Sequence, residues 1–157
     1  MTCSRPSNFN PVKYTECPGL LLADIVSPEK RSWIMSQIRG KNTKIEIKME
    51  DILKNTRLKF EKHPKMYANP DFVHRRKKII IFCDGDFWHG YRYDTKKKPK
   101  KKFWRDKIEG NMRRDKKYTR KLRRDGWSVL RFWEHDIDKN PEKCLRRVDR
   151  KITSRKA

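Results

Sequence analysis

The segment Ile79-Ile80-Ile81-Phe82 constrains the fold more than any other stretch of the chain. Consecutive apolar residues place bulk on both faces of an extended strand, and such a strand is stable only where other layers cover it from either side. Preceded by Lys77-Lys78 and ended by Asp84-Gly85-Asp86, the run predicts a central strand over residues 77–83. A strand of that kind belongs to an α/β layer fold with a mixed central sheet flanked by helices.

The rest of the chain supplies the layers. Ser27-Pro28 fits an N-cap followed by proline at the first helical position, and Trp33, Ile34 and Ile38 repeat at helical spacing until Gly40. Thr43-Lys44-Ile45-Glu46 fits a capping box, with Ile45, Met49, Ile52 and Leu53 as the next apolar stripe. Residues 58–62 alternate as a half-buried strand should, residues 63–70 with two prolines read as a loop, and residues 71–73 form another short strand. A polar helix is expected over 104–124, closed by Asp125-Gly126, then a strand over 127–133 and a last basic helix after Pro141. Residues 1–26 carry Pro6, Pro11, Pro18 and Gly19 without sustained period and read as an extension, leaving 27–157 as a single domain.

Charge then limits what the domain can do. Lys and Arg number 43 against 20 acids, a formal charge of +23, so a polyanion is the expected partner and nucleic acid the leading one. Residues 95–102, Thr-Lys-Lys-Lys-Pro-Lys-Lys-Lys, form a loop too repulsive to order without a counter-anion. The longest apolar run, Gly19 to Ala23, is broken by Asp24 and far short of the ~20 residues of a spanning helix, so neither a membrane span nor a secretory signal is expected. Cys3, Cys17, Cys83 and Cys144 make no CxxC pair, which points to a reducing, intracellular setting.

In so basic a chain, carboxylates beside phosphates call for a cation. Asp71 follows Asn69-Pro70 at the start of a strand, and Asp84 and His89 leave the Ile-rich strand. Mg²⁺ typically takes one or two carboxylates together with water and phosphate oxygens, an arrangement suited to phosphodiester hydrolysis with His89 as general base. Bland readings stand beside this one. Glu46 fits the N3 position of its capping box, Asp71 a turn, Asp115 a solvated ion pair, and Phe87 and Trp88 a core contact.

In combination and order these residues resemble the very-short-patch repair (Vsr) mismatch endonucleases. The likeness runs from Ser27 to Trp133. It includes Arg31-Ser32 with Met35, Asn42 to Glu46, Asn69-Pro70-Asp71-Phe72, Ile81 to His89, Phe103-Trp104 with Lys107-Ile108, Asn111 to Asp115, and Gly126-Trp127 to Glu134, with Gly85-x-Phe87-Trp88-His89 the most specific block. The resemblance implies a restriction-endonuclease-like core and Mg²⁺-dependent nicking of one strand of duplex DNA beside a T:G mismatch. It implies Asp71 and the main-chain carbonyl of Cys83 as metal ligands, His89 as general base, and Glu46 and Asp115 as supporting acids. It also implies Phe87, Trp88 and Trp104 as a wedge entering the base stack, with Met35, Lys107 and Asn111 flanking the mispair. A monomer is expected, with mismatch-repair proteins as possible partners and the cytoplasm or nucleoid as its place.

Two departures from the family pattern matter. Asp84 stands where many members have histidine, so it becomes a further candidate metal ligand. The positions of the family's structural zinc fall on Asp86, Tyr91, Tyr93 and His135, a poor donor set. No structural zinc is expected, with an Asp86–His135 ion pair in its place. Two other readings remain: a site-specific or homing-type nuclease acting on matched DNA, and a non-catalytic basic module. The active-site reading requires Asp71, the Cys83 carbonyl and His89 to meet at one end of the sheet.

Overall fold

The computed structural model describes residues 27, 29, 32, 33, 36, 41–95 and 98–154. Of the first expected helix, Glu29, Ser32, Trp33 and Ser36 are helical. Met35, Lys96, Lys97 and the 1–26 extension lie outside the described residues.

The Ile-rich run is the inner strand its sequence demands. The sheet has four strands, β1 (Glu61–Lys62), β2 (Phe72–His74), β3 (Ile79–Asp84) and β4 (Ser128–Trp133), in that spatial order. β1–β2 and β2–β3 are antiparallel, β3–β4 parallel, so the sheet is mixed. A parallel pair needs a crossover, and α2 (Lys102–Arg124) lies on the connection between β3 and β4. The remaining helices are α1 (Lys44–Lys54), α3 (Glu134–Lys139) and α4 (Pro141–Ser154).

Alternation along β3 divides the core in two. Ile79 and Ile81 pack with Phe72, Leu130 and Phe132 under Met49, Ile52 and Leu53 of α1, Ile137 of α3 and Cys144 and Val148 of α4. Ile80 and Phe82 face the other way, with Val73, Val129 and Leu122 of α2. Each fully buried Ile or Phe side chain contributes roughly 1.5–3 kcal/mol, so a charge introduced at residues 79–82 would be costly on either face.

The helix ends follow their sequence signals. Thr43 Oγ1 accepts from the Glu46 amide at α1. At the far end of α2, Gly126 adopts φ +85° while its amide bonds to Arg123 and that of Trp127 to Leu122, a Schellman closure only glycine enters without strain. Two expectations need correction. Of residues 58–62 only Glu61 and Lys62 pair, because Thr56 Oγ1 accepts from the Leu58 amide and keeps the chain in a turn as it leaves α1. The connection after β4 also contains α3, whose short polar sequence Glu-His-Asp-Ile-Asp-Lys offers a single buried apolar residue, Ile137, and hence no visible period.

Candidate active site

The functional side chains gather where β3 ends, and each arrives from a different element. Asp71 precedes β2; its amide donates to the Ile81 carbonyl and its Oδ2 accepts the Cys83 N–H at 2.7 Å, which fixes the carboxylate against the sheet. Burial, with Glu46 and Asp84 close by, outweighs the Cys83 hydrogen bond and the nearby His89, raising the Asp71 pKa from 3.8 to about 7. The carboxylate is therefore costly to ionise where it stands, chiefly because it is buried. The same burial and the same carboxylates push the Cys83 thiol well above its usual pKa. It stays protonated, leaving the main-chain carbonyl as the donor that Cys83 can offer a hard cation.

Glu46 performs the cap its sequence suggested and also faces the site. Its Oε1 accepts from Thr43 Oγ1 at 2.8 Å and its Oε2 from the Asn42 amide at 2.7 Å, so the rotamer is set by the start of α1. Glu46 is only 5% exposed, and His63 Nε2 lies 3.0 Å from its Oε2. His63, read from sequence only as the start of a loop, thus belongs with Glu46 and Asp71 in a group of donor atoms that could hold a metal ion.

A second cluster surrounds His89. Asp84, 3% exposed, takes both of its hydrogen bonds from Arg131, at 2.6 Å to each oxygen. The same guanidinium lies 3.3 Å from Asp115, and Asp115 Oδ2 holds His89 Nδ1 at 2.5 Å, with Asp84 Oδ1 3.4 Å from that nitrogen. Burial opposes the Asp115 charge, yet the His89 hydrogen bond and the Arg131 cation hold its pKa below the ordinary value. Asp115 is therefore an ionised acceptor, which places an imidazole proton on Nδ1. Asp84, His89 and Asp115 form the other group that could hold a cation, but Arg131 already engages both Asp84 oxygens.

Arg131 has no place in the sequence reading, although a signal for it exists. In Val129-Leu130-Arg131-Phe132 a cation interrupts a strand buried on its neighbouring positions, and a cation there demands a counter-charge. Its register partner on β3 is Phe82, whose ring lies 4.8 Å from the guanidinium.

The aromatic residues expected to meet DNA form one cluster. Phe87 and Trp88 lie 5.0 Å apart, with Trp104 at 6.2 Å and 5.6 Å from them and Phe103 at 5.1 Å from Trp104. Trp104 is buried, and its indole N–H lacks a hydrogen-bond partner among the described residues. Asn111 Nδ2 donates to the Trp88 carbonyl at 2.9 Å, whereas Lys107 projects to solvent. Along the same helix, Arg113, Arg114, Lys116, Lys117, Arg120 and Arg123 are exposed. Asp86 and His135 form the expected pair, with Nδ1 2.8 Å from Oδ1, and the Tyr91 ring lies tilted against His135 at 4.1 Å. Tyr93 turns elsewhere, donating to Glu109.

The mixed sheet with flanking helices is restriction-endonuclease-like, and this chain is a DNA endonuclease of that class. The family model for DNA mismatch endonuclease Vsr matches residues 23–95. The chain is 39% identical over 137 residues to the type II nicking enzyme V.HpaIIP of Haemophilus parainfluenzae, covering 84% of this chain and 97% of that one. It is 36% identical over 129 residues to the type II nicking enzyme V.NmeDIP of Neisseria meningitidis serogroup C, covering 80% and 87%. To DNA mismatch endonuclease Vsr of Escherichia coli it is 33% identical over 116 residues, covering 72% and 74%. The protein belongs to the Vsr family. Among the described residues no helix is long and apolar enough to cross a membrane.

Proposed function

We propose that the protein nicks one strand of duplex DNA beside a T:G mismatch in a Mg²⁺-dependent reaction, acting as a monomer. The observation that carries this reading is the adjacency in sequence of the aromatic cluster and the hydrolytic dyad. Phe87 and Trp88 immediately precede His89, whose Nδ1 is held by Asp115. A wedge that opens a weak base step would then deliver the neighbouring phosphodiester to the base that cleaves it.

The donor set suits Mg²⁺. The Asp71 carboxylate and the Cys83 carbonyl are hard oxygens, and a cation beside them would offset the cost of ionising the buried Asp71. When bound, the ion supplies charge neutralisation for the phosphate as negative charge grows on it. Everything else falls to the side chains. His89 Nε2 takes the proton from the attacking water, while Asp115 holds the ring and stabilises the imidazolium that forms. Arg131 holds Asp84 in place through both carboxylate oxygens and lies against Asp115. The exposed cations of α2 and the basic loop contact backbone phosphates.

The names of V.HpaIIP and V.NmeDIP favour a second reading, in which the same chemistry nicks a specific matched sequence. Strand-resolved cleavage of a duplex library carrying T:G or T:A at one position, with Mg²⁺ or chelator, separates the two. The first reading expects cuts in one strand of T:G duplexes only. Equal nicking of the T:A partners would overturn the mismatch assignment, and Asp71→Ala cleaving at the wild-type rate would overturn the site itself.

A further inference from the structure

We propose that Tyr67 and Tyr118, with Lys121 beside them, form a further DNA-contact site that holds one backbone phosphate of the bound duplex, on the far side of the His89–Asp115 dyad from the aromatic wedge. The proposal rests on the reading above, in which Phe87, Trp88 and Trp104 enter the duplex.

The loop before Asp71 turns Tyr67 outward. Met66 and Ala68, on either side of it, pack against the core face of Val73, Ile80, Phe82, Val129 and Leu122. The Asn69 amide closes the turn on the Met66 carbonyl at 3.1 Å, with Ala68 at φ +70° and Asn69 at φ +45°. Asparagine enters this left-handed region readily, whereas alanine rarely does. Backbone of that kind clusters at functional sites. Its effect here is to leave Tyr67 40% exposed, shortly before the site carboxylate Asp71.

The exposed ring meets α2. Its centroid lies 5.1 Å from that of Tyr118, edge to face, and Lys121 Nζ stands 5.4 Å over it. Neither phenol hydroxyl has a hydrogen-bond partner among the described residues. Arg114, Tyr118 and Lys121 stand at i−4, i and i+3 and so share one face of the helix, a stripe that Asn111 opens where it holds the Trp88 carbonyl. Asp115, the partner of His89, falls between Asn111 and Tyr118. Those two are seven positions apart, about 10 Å along the helix axis or about three steps of a DNA strand. Wedge, dyad and tyrosine pair therefore follow one another along α2.

Charge suits a phosphate at the far end of that stripe. Arg114 and Lys117 are exposed next to Tyr118, and Asp125, the acid that closes the helix, is taken by Lys121 at 2.8 Å. Tyrosine hydroxyls and ammonium groups are ordinary donors to phosphate oxygens.

The competing account is that Tyr67 merely packs its loop onto α2. Tyr67→Phe and Tyr118→Phe keep both rings and remove only the donors. Binding of the full chain in chelator to T:G duplexes, each carrying a single methylphosphonate at a different phosphate, distinguishes the accounts without reference to cleavage. The proposal expects a methylphosphonate about three steps from the wedge to weaken wild-type binding about three- to tenfold. Each Phe variant should bind the unmodified duplex weaker by a similar factor and show a smaller penalty at that phosphate alone. Wild-type affinity in both variants, or a loss that leaves every methylphosphonate penalty unchanged, overturns the site. Failure of the nicking reading would appear instead in strand cleavage with Mg²⁺, and a wild-type chain that binds no duplex would overturn both.

Discussion

Replacing Asp71 by Asn removes a buried charge while keeping an oxygen to accept the Cys83 amide. The folded-state pKa of Asp71 is raised from 3.8 to about 7, first by burial, so the sign of its contribution is unfavourable to folding. Below about pH 4 both states hold the proton and the group is neutral in its effect. Between about pH 4 and pH 7 the unfolded chain is ionised while the folded one is not, and stability falls by about 1.4 kcal/mol per pH unit. Above pH 7 the penalty is constant at about 4 kcal/mol, of the order of 10 °C in Tm for a domain of this size. Thermal melts in chelator from pH 4 to 8 should therefore show a decline in wild type that Asp71→Asn lacks, with the variant the more stable protein at pH 8. Saturating Mg²⁺ at pH 8 should raise the wild-type Tm and leave the variant unmoved. Parallel Tm curves for the two proteins, or a variant less stable at pH 8, would refute the claim that ionising the buried Asp71 costs stability.

Arg131→Met should destabilise by about 3–5 kcal/mol in urea denaturation, because it leaves Asp84 buried and unpaired; adding Asp84→Asn should recover a substantial part. Asp115→Asn withdraws the ionised acceptor from His89 Nδ1, and single-turnover nicking should fall about 10²-fold or more with duplex affinity unchanged in gel shifts. Gly90→Ala places a Cβ 2.6 Å from Met112 Sδ at a backbone of φ +73° and should cost about 1–3 kcal/mol in the same urea assay. Reversing Arg113 and Arg120 to Glu should weaken binding to matched and mismatched duplexes alike and flatten the salt dependence by about one per lost phosphate contact.

What the sequence disclosed and what it concealed follow from the range of the interactions concerned. The central strand was legible because Ile79 to Phe82 carry their burial on both faces within four residues. The α1 cap was legible because Thr43 and Glu46 are three residues apart. Asp71, Asp84 and His89 stood out by their places at strand ends, whereas Glu46 and Asp115 gained a role in the site only by resemblance, since nothing local to any of them states which distant element it meets. His63 and Arg131 escaped for the same reason. His63 looks like a loop residue until the chain folds it onto Glu46, 17 positions earlier, and Arg131 like one more cation among 43 until Asp84 faces it. The strand expected over 58–62 shrank to Glu61–Lys62 for a different reason, since alternation describes exposure and residues 58–60, leaving the Thr56 turn, keep the same alternation without a ladder partner.

The aromatic cluster adds an energetic condition to the proposed mismatch reading. Phe87, Trp88 and Trp104 make three mutual ring contacts, each worth about 0.5–1.5 kcal/mol beyond area burial, so entering DNA would forfeit roughly 1.5–4.5 kcal/mol. Opening a base step costs a further few kcal/mol. Against these stand the new stacking contacts with bases, about 1–3 kcal/mol apiece, and a partner for the Trp104 N–H, whose buried orphan state costs about 1–3 kcal/mol. The opposing sums are similar in size, so the balance is decided by the base step itself. A T:G pair is already weakened and tips it toward insertion, while a well-stacked matched step leaves the aromatic residues packed on one another. Selectivity of this kind needs no side chain that reads the mispair by hydrogen bonds. On that proposed reading, Asn111, which holds the Trp88 carbonyl at 2.9 Å, would act as a tether on the wedge residue.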